Sequence, residues 1–441
     1  MAFLCKITKR VERKRKKYMI EIHRLSNGIQ VVLEPMEHVH SASIGIYVKV
    51  GSAYETRENN GIAHVVEHML FKGTKTRTAK EQATAFAKIG GDVNAYTSKE
   101  ETCYYAMVLD EHLYEVIELL GDMICNPRFE PNDLKKELEV VLEEIDMYQD
   151  SPEDLAIEHL QEISLPTSPL GYLISGKKET VSNFQREHVV SFMEDFYTAE
   201  RIVISIAGNF QKKEILELLE EQFGMIKSIG RKFVRQSGTF SPAFASLHKD
   251  TEQTHVTIGF MGSGYQSEEK YAQMVFDQCF GDSDDSRLFQ KLREDLSLVY
   301  SVYSFCNTYE ETGIFQIYGA MNQQKVGRCV HEIGLILQDL RKNGITKEEL
   351  SCAKERIRSE LLMGMDSTEN RMGQNGKSLL LSGTLQTTLQ VVDQVLRVTK
   401  EDVDQYIRKY INPNSSSFVL VGNQTQEQDD ILKKIWKNQY Q

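Results

Sequence analysis

The chain has 441 residues, 41% of them hydrophobic and 26% charged, with a formal net charge of −12. That length exceeds one ordinary core and predicts two domains of a globular, water-soluble type. No apolar run approaches the roughly 20 residues of a membrane-crossing helix, and so acidic a chain disfavours nucleic acid while favouring cationic partners at long range.

The charge is uneven. Residues 1–18 hold eight Lys/Arg (Lys6, Lys9, Arg10, Arg13, Lys14, Arg15, Lys16, Lys17) against Glu12 alone, so the remainder is more acidic than the total. This head has neither an apolar stretch nor a small-residue cleavage site, and is expected to be a disordered basic extension, with Met19 as an alternative start. The seven cysteines are scattered and never spaced C-x-x-C, which predicts reduced thiols in a cytoplasmic setting and neither a disulfide framework nor a Cys-zinc site.

In chain order, residues 28–33 and 43–50 have strand length and β-branched content. A helix is expected over 61–71, strands over 94–97 and 102–108, and helices over 111–125 and 131–148, the last opened by Pro131. Gly90 and Gly91 permit a sharp entry into the 94–97 strand. Gly224, Gly230 and Gly238, set among Lys227, Arg231, Lys232 and Arg235, mark an interdomain linker over 224–240.

The second half repeats the first with a period near 215 residues. Residues 134–151 match 350–367 at an unbroken offset of 216, pairing Glu139 with Glu355, Glu144 with Glu360, Met147 with Met363 and Asp150-Ser151 with Asp366-Ser367. Residues 202–209 match 417–423, and 44–48 sit beside 256–260. Two repeats of this size predict sister domains, here 19–223 and 241–436.

His64-Val-Val-Glu67-His68 carries the strongest chemistry. On a helix, residues four apart lie one turn apart on one face, so both imidazoles reach one ion. Glu67, three residues after His64, shares that face and is placed to activate an attacking water. This is H-x-x-E-H, the inverted form of H-E-x-x-H. A catalytic zinc takes three protein ligands and keeps one open position. The third must come from elsewhere; the carboxylate-rich 131–148 segment offers Glu137 and Glu144, seven apart on one face. The second half has only His248, His255 and His331, unpaired at helical spacing, so one zinc per chain is expected.

The segment from Gly61 to Thr74 (GIAHVVEHMLFKGT) resembles the inverzincin signature of the pitrilysin family, in the branch of the mitochondrial processing peptidase and its bacterial relatives. Residues 94–105 and the run from Glu137 to Glu144 are also similar to that family, and the resemblance covers about 19–430. It implies Glu144 as the third zinc ligand and Glu137 as a supporting acid. It also implies that Arg293 and Tyr300 bind the substrate backbone and the reacting carbonyl, and that residues 94–97 form an edge strand on which a peptide lies, with Asn94, Ala95 and Tyr96 binding it. Ser297 departs from the family, where Gly is common.

The implied fold is α+β: two tandem homologous sandwich domains, each a mainly antiparallel sheet flanked by helices. The implied function is a zinc endopeptidase acting on extended peptides in a closed chamber, as a homodimer. The acidic body adds a preference for basic peptides. Two rivals stand beside it: a non-catalytic scaffold subunit of the same fold, and a zinc hydrolase of small metabolites.

Overall fold

The computed structural model describes residues 20–235 and 238–438. The basic extension 1–18 lies outside the described residues. The chain forms two compact units. Of the described residues, one comprises those up to Leu142 with Ile174–Val234 and Gly364–Thr387; the other comprises Glu143–Leu173, those between Arg235 and Met363, and those from Thr388 onward.

The first unit is built on a six-stranded sheet of β1 (Glu21–Arg24), β2 (Gln30–Pro35), β3 (Ser41–Val48), β4 (Asp92–Thr97), β5 (Thr102–Leu109) and β6 (Ile202–Gly208), in the order β1-β2-β6-β3-β5-β4. Only the β2–β6 pair is parallel. Central β6 is an unbroken buried run, Ile-Val-Ile-Ser-Ile-Ala-Gly, as a strand covered on both faces requires. Terminal β4 alternates between exposed and half-buried residues and, among the described residues, pairs only with β5.

The second unit repeats the scheme with β7 (Phe244–His248), β8 (Thr254–Ser263), β9 (Ser301–Thr308), β10 (Thr312–Met321) and β11 (Ser417–Gly422), ordered β7-β11-β8-β10-β9. Its one parallel pair, β7–β11, matches β2–β6. The strand repeats read from the sequence therefore occupy equivalent places: β6 with β11, and β3 with β8. Phe260, Phe276, Phe280, Phe315 and Tyr406 anchor its core.

The units are not contiguous halves of the chain, which differs from the expected boundaries at 223 and 241. Helix Pro152–Ser164 belongs to the second unit, where Ala156 and Leu160 bury against Val419 and Val421 of β11. Helix Thr368–Ser382 belongs to the first. There Tyr47 donates to Met372 Sδ at 3.2 Å, Ser205 Oγ donates to the Met372 carbonyl at 2.8 Å, and Arg371 pairs with Glu34. Each helix covers the sheet built by the other half. The duplication extends to their starts, because Ser151 caps one and Ser367 the other, each accepting from the backbone N–H three residues on.

Candidate metal centre

The centre starts with helix Ile62–Leu70, which packs against helix Arg186–Phe196. Gly61, at φ +100°, enters it in the left-handed region, where a Cβ would stand 2.9 Å from the Cα of Gly176. No residue of the helix caps its first turn. A buried carboxylate from outside does so: Glu55 Oε2 accepts from the Asn60 side chain and the Gly61 N–H, and Oε1 from the Ala63 N–H, each at 2.8 Å. Burial pushes the Glu55 pKa up to about 8, against the pull of these three donors.

From this helix the Nε2 atoms of His64 and His68 turn toward each other and stand 3.2 Å apart. Glu144 lies on helix Pro131–Asp150, two turns beyond Glu137. One ligand atom each from His64, His68 and Glu144 falls within 4.8 Å of the others, and among the described residues no other group of three His, Cys, Asp or Glu does so. Two imidazole nitrogens and one carboxylate oxygen are the donor set of a catalytic zinc, with a coordination position left over. The electrostatics fit a cation as well. Burial pulls the His64 pKa down to about 3, assisted by His68, so the ring stays a neutral imidazole with a lone pair to give.

Glu137 supports the set. Its Oε1 is 3.0 Å from His68 Nδ1 and its Oε2 is 2.5 Å from Lys72 Nζ. A carboxylate on the far nitrogen of a ligating histidine holds the tautomer that points Nε2 at a metal. Burial opposes the charge on Glu137, and His68 and Lys72 outweigh it, holding the pKa below the usual carboxylate value. Glu67, on the ligand face, accepts a 2.5 Å hydrogen bond from Thr97 Oγ1.

Asn94, Ala95 and Tyr96 lie on β4 as expected of an edge strand, with Asn94 and Tyr96 exposed. The Tyr96 hydroxyl donates to Glu101 at 3.1 Å. Gly90, at φ +69°, ends the preceding helix Ala79–Ile89 and turns the chain into that strand. Arg293 and Tyr300 belong to the second unit. Arg293 sits on a π-helical turn, Phe289–Asp295, with its guanidinium 5.0 Å from the Phe289 ring centroid. Tyr300 is 74% exposed, and its N–H donates to the Ala320 carbonyl at 2.8 Å. Between them Ser297 adopts φ +48°, the left-handed region that a glycine occupies freely.

Sequence reasoning missed Glu55, and it missed the contacts of Thr97 with Glu67 and of Lys72 with Glu137. Lys72 lies in the turn just past the end of the zinc helix at Leu70, where helical spacing gives no cue. Neither Thr97 nor Glu55 carries any spacing cue.

A duplicated α+β scaffold that brings two histidines of an H-x-x-E-H helix together with a glutamate of a second helix defines a metallopeptidase-like class. Comparison with known proteins agrees. The profile "Insulinase (Peptidase family M16)" matches residues 30–178, and "Peptidase M16 inactive domain" matches 183–357. The chain belongs to peptidase family M16. It is 40% identical over 391 residues to an uncharacterized zinc protease of Bacillus subtilis, covering 89% of this chain and 95% of that one. It is 34% identical to another from Rickettsia felis, covering 91% and 97%. In fold it is similar to a protease from Helicobacter pylori, with a TM-score of 0.86 at 22% identity over 92% of this chain and 99% of that one. No helix of the described residues is long and apolar enough to cross a membrane.

Proposed function

We propose that the chain is a zinc-dependent endopeptidase that hydrolyses extended peptides. The observation that carries this reading is the convergence of His64, His68 and Glu144 beside Glu67, which is itself hydrogen-bonded to the end of edge strand β4. Zinc held by these three residues would polarise a scissile carbonyl and make water nucleophilic near neutral pH. Glu67 takes the proton of the attacking water and returns it to the leaving amine. The open side of β4 offers backbone hydrogen bonds to an extended peptide, a mode tolerant of side-chain sequence and closed to folded substrates. Arg293 and Tyr300 are proposed to bind the substrate backbone and carbonyl, and the active form is proposed to be a homodimer in a reducing, cytoplasmic setting.

Cleavage of a long, basic, unstructured peptide, followed by mass spectrometry, tests the reading by comparing wild type with Glu67→Gln. Cutting by wild type alone supports it. Equal cutting by both removes Glu67 from the reaction, and silence of both with zinc supplied returns the scaffold and metabolite readings. A series of equal-length peptides differing in Lys/Arg content tests the basic preference; equal kcat/KM at low salt removes it.

A further inference from the structure

We propose that Thr97 is a positioning residue that ties the docking of a peptide on β4 to the aim of the general base, Glu67. The inference rests on the peptidase reading above and goes beyond it by assigning a role to a hydroxyl that makes no contact of its own with the reacting atoms.

Thr97 is the last residue of β4, paired in register with Thr102 of β5. Alternation along the strand puts Val93, Ala95 and Thr97 on its less exposed face, opposite Asn94 and Tyr96. From that face the Thr97 hydroxyl donates to Glu67 Oε2 at 2.5 Å. A glutamate side chain has three rotatable bonds, and its carboxylate can spin unless an oxygen is held. Threonine is suited to hold it, because branching at Cβ restricts its own χ1.

The mount is itself fixed. Beyond Thr97 the chain turns at Ser98, whose N–H donates to the Glu101 carbonyl at 2.8 Å. The Ser98 and Lys99 carbonyls accept from the Ser52 and Ala53 N–H groups at 3.2 and 2.7 Å. One end of β4 is therefore clamped at the hydroxyl that holds Glu67, while its outer edge has no strand partner among the described residues. A peptide pairing along that edge stiffens the strand, and the stiffening reaches Glu67 through the Thr97 hydroxyl. The signature of such a device lies in turnover more than in binding, since peptide affinity comes from the strand backbone.

The test uses the zinc-loaded full chain and one unstructured peptide. Thr97→Val keeps the shape and removes the donor; Thr97→Ser keeps the donor. The expected result is a fall in kcat of about 10- to 100-fold for Thr97→Val, the scale of a misplaced catalytic group, with KM within about twofold of wild type. Thr97→Ser should restore most of that loss, with zinc content and Tm alike in all three. A Thr97→Val kcat within about twofold of wild type overturns the proposal, as does a loss that serine fails to restore. Should wild type cut no peptide, the peptidase reading fails separately. The contact is then read without turnover, from the Glu67 carboxylate stretch in infrared difference spectra assigned with Glu67→Gln. A shift in Thr97→Val that is absent in Thr97→Ser upholds the hydrogen bond on which the proposal rests, and no shift overturns the proposal.

Discussion

Lys72 and His68 hold opposite oxygens of one carboxylate. The lysine Nζ stands 2.5 Å from Glu137 Oε2, and the histidine Nδ1 stands 3.0 Å from Oε1. Against burial, the histidine and the lysine together keep Glu137 charged, and the charged carboxylate keeps the His68 proton on Nδ1, which leaves Nε2 facing His64. Removing the carboxylate should therefore weaken the metal more than removing the lysine. Glu137→Gln is expected to raise the zinc Kd by about 10- to 100-fold, the usual effect of losing such a partner, and Lys72→Met by less. Competition with a chromophoric chelator measures both. An unchanged Kd for Glu137→Gln would show that the carboxylate does not support the site.

His64 should make the metal-free protein acid-sensitive. Its folded pKa of about 3 lies far below its ordinary value because burial disfavours the imidazolium. Below about pH 6.5 the unfolded chain takes up a proton that the folded chain refuses, so the contribution is present above that pH and shrinks as pH falls toward 3. Each pH unit in that window removes up to about 1.4 kcal/mol. Thermal melts of the chelator-stripped protein between pH 7.5 and 5 should show Tm falling more steeply in wild type than in His64→Gln. Parallel curves would remove His64 as the cause.

The ion pair between Arg371 and Glu34 is almost wholly buried, with side-chain exposures of 6% and 3%. Asn375 donates to the second Glu34 oxygen at 2.7 Å, so the carboxylate is fully engaged by helix Thr368–Ser382. Arg371→Met leaves a buried charge unpaired and should cost about 3–5 kcal/mol in urea denaturation. Adding Glu34→Leu removes the orphaned charge and should recover much of that loss. A double variant no better than the single one would mean that packing, not charge, sets the cost.

Ser297 supplies a fourth test. Holding a residue with a Cβ at φ +48° costs roughly 1–2 kcal/mol, which glycine escapes at the expense of a more flexible unfolded chain. Ser297→Gly should match or slightly exceed wild type in Tm, whereas Ser297→Val, branched at Cβ, should fall below it. A drop for glycine as large as that for valine would show that the serine side chain, not the backbone, matters here.

The zinc helix was legible because its chemistry follows a helical period: His64, Glu67 and His68 share a face whatever surrounds them. The repeat was legible for the same reason, since aligned strands and serine caps keep their spacing through a duplication. Contacts closed through space were not. Thr97 meets Glu67 across 30 residues of chain, and Glu55 reaches the helix start from a preceding turn, so no local pattern announces either. The exchanged helices were missed because a repeat read along the chain says nothing about which sheet each copy covers. Boundaries slipped where a turn intervened. The strand expected over 43–50 ends at Val48 because Val50 N–H folds back onto the Val48 carbonyl at 2.7 Å.

The exchanged helices also set a schedule for synthesis. Strand β6, at the centre of the first sheet, ends at Gly208, yet the helix that buries one side of it begins at Thr368. At about 5–20 residues per second, the nascent chain waits on the order of ten to thirty seconds with that surface uncovered. Ser43, Tyr47 and Ser205, whose side chains meet the late helix, must meanwhile face water or a chaperone. A ribosome stalled before residue 368 therefore carries a half-dressed sheet, and a truncation there should yield an aggregating fragment instead of a smaller folded domain.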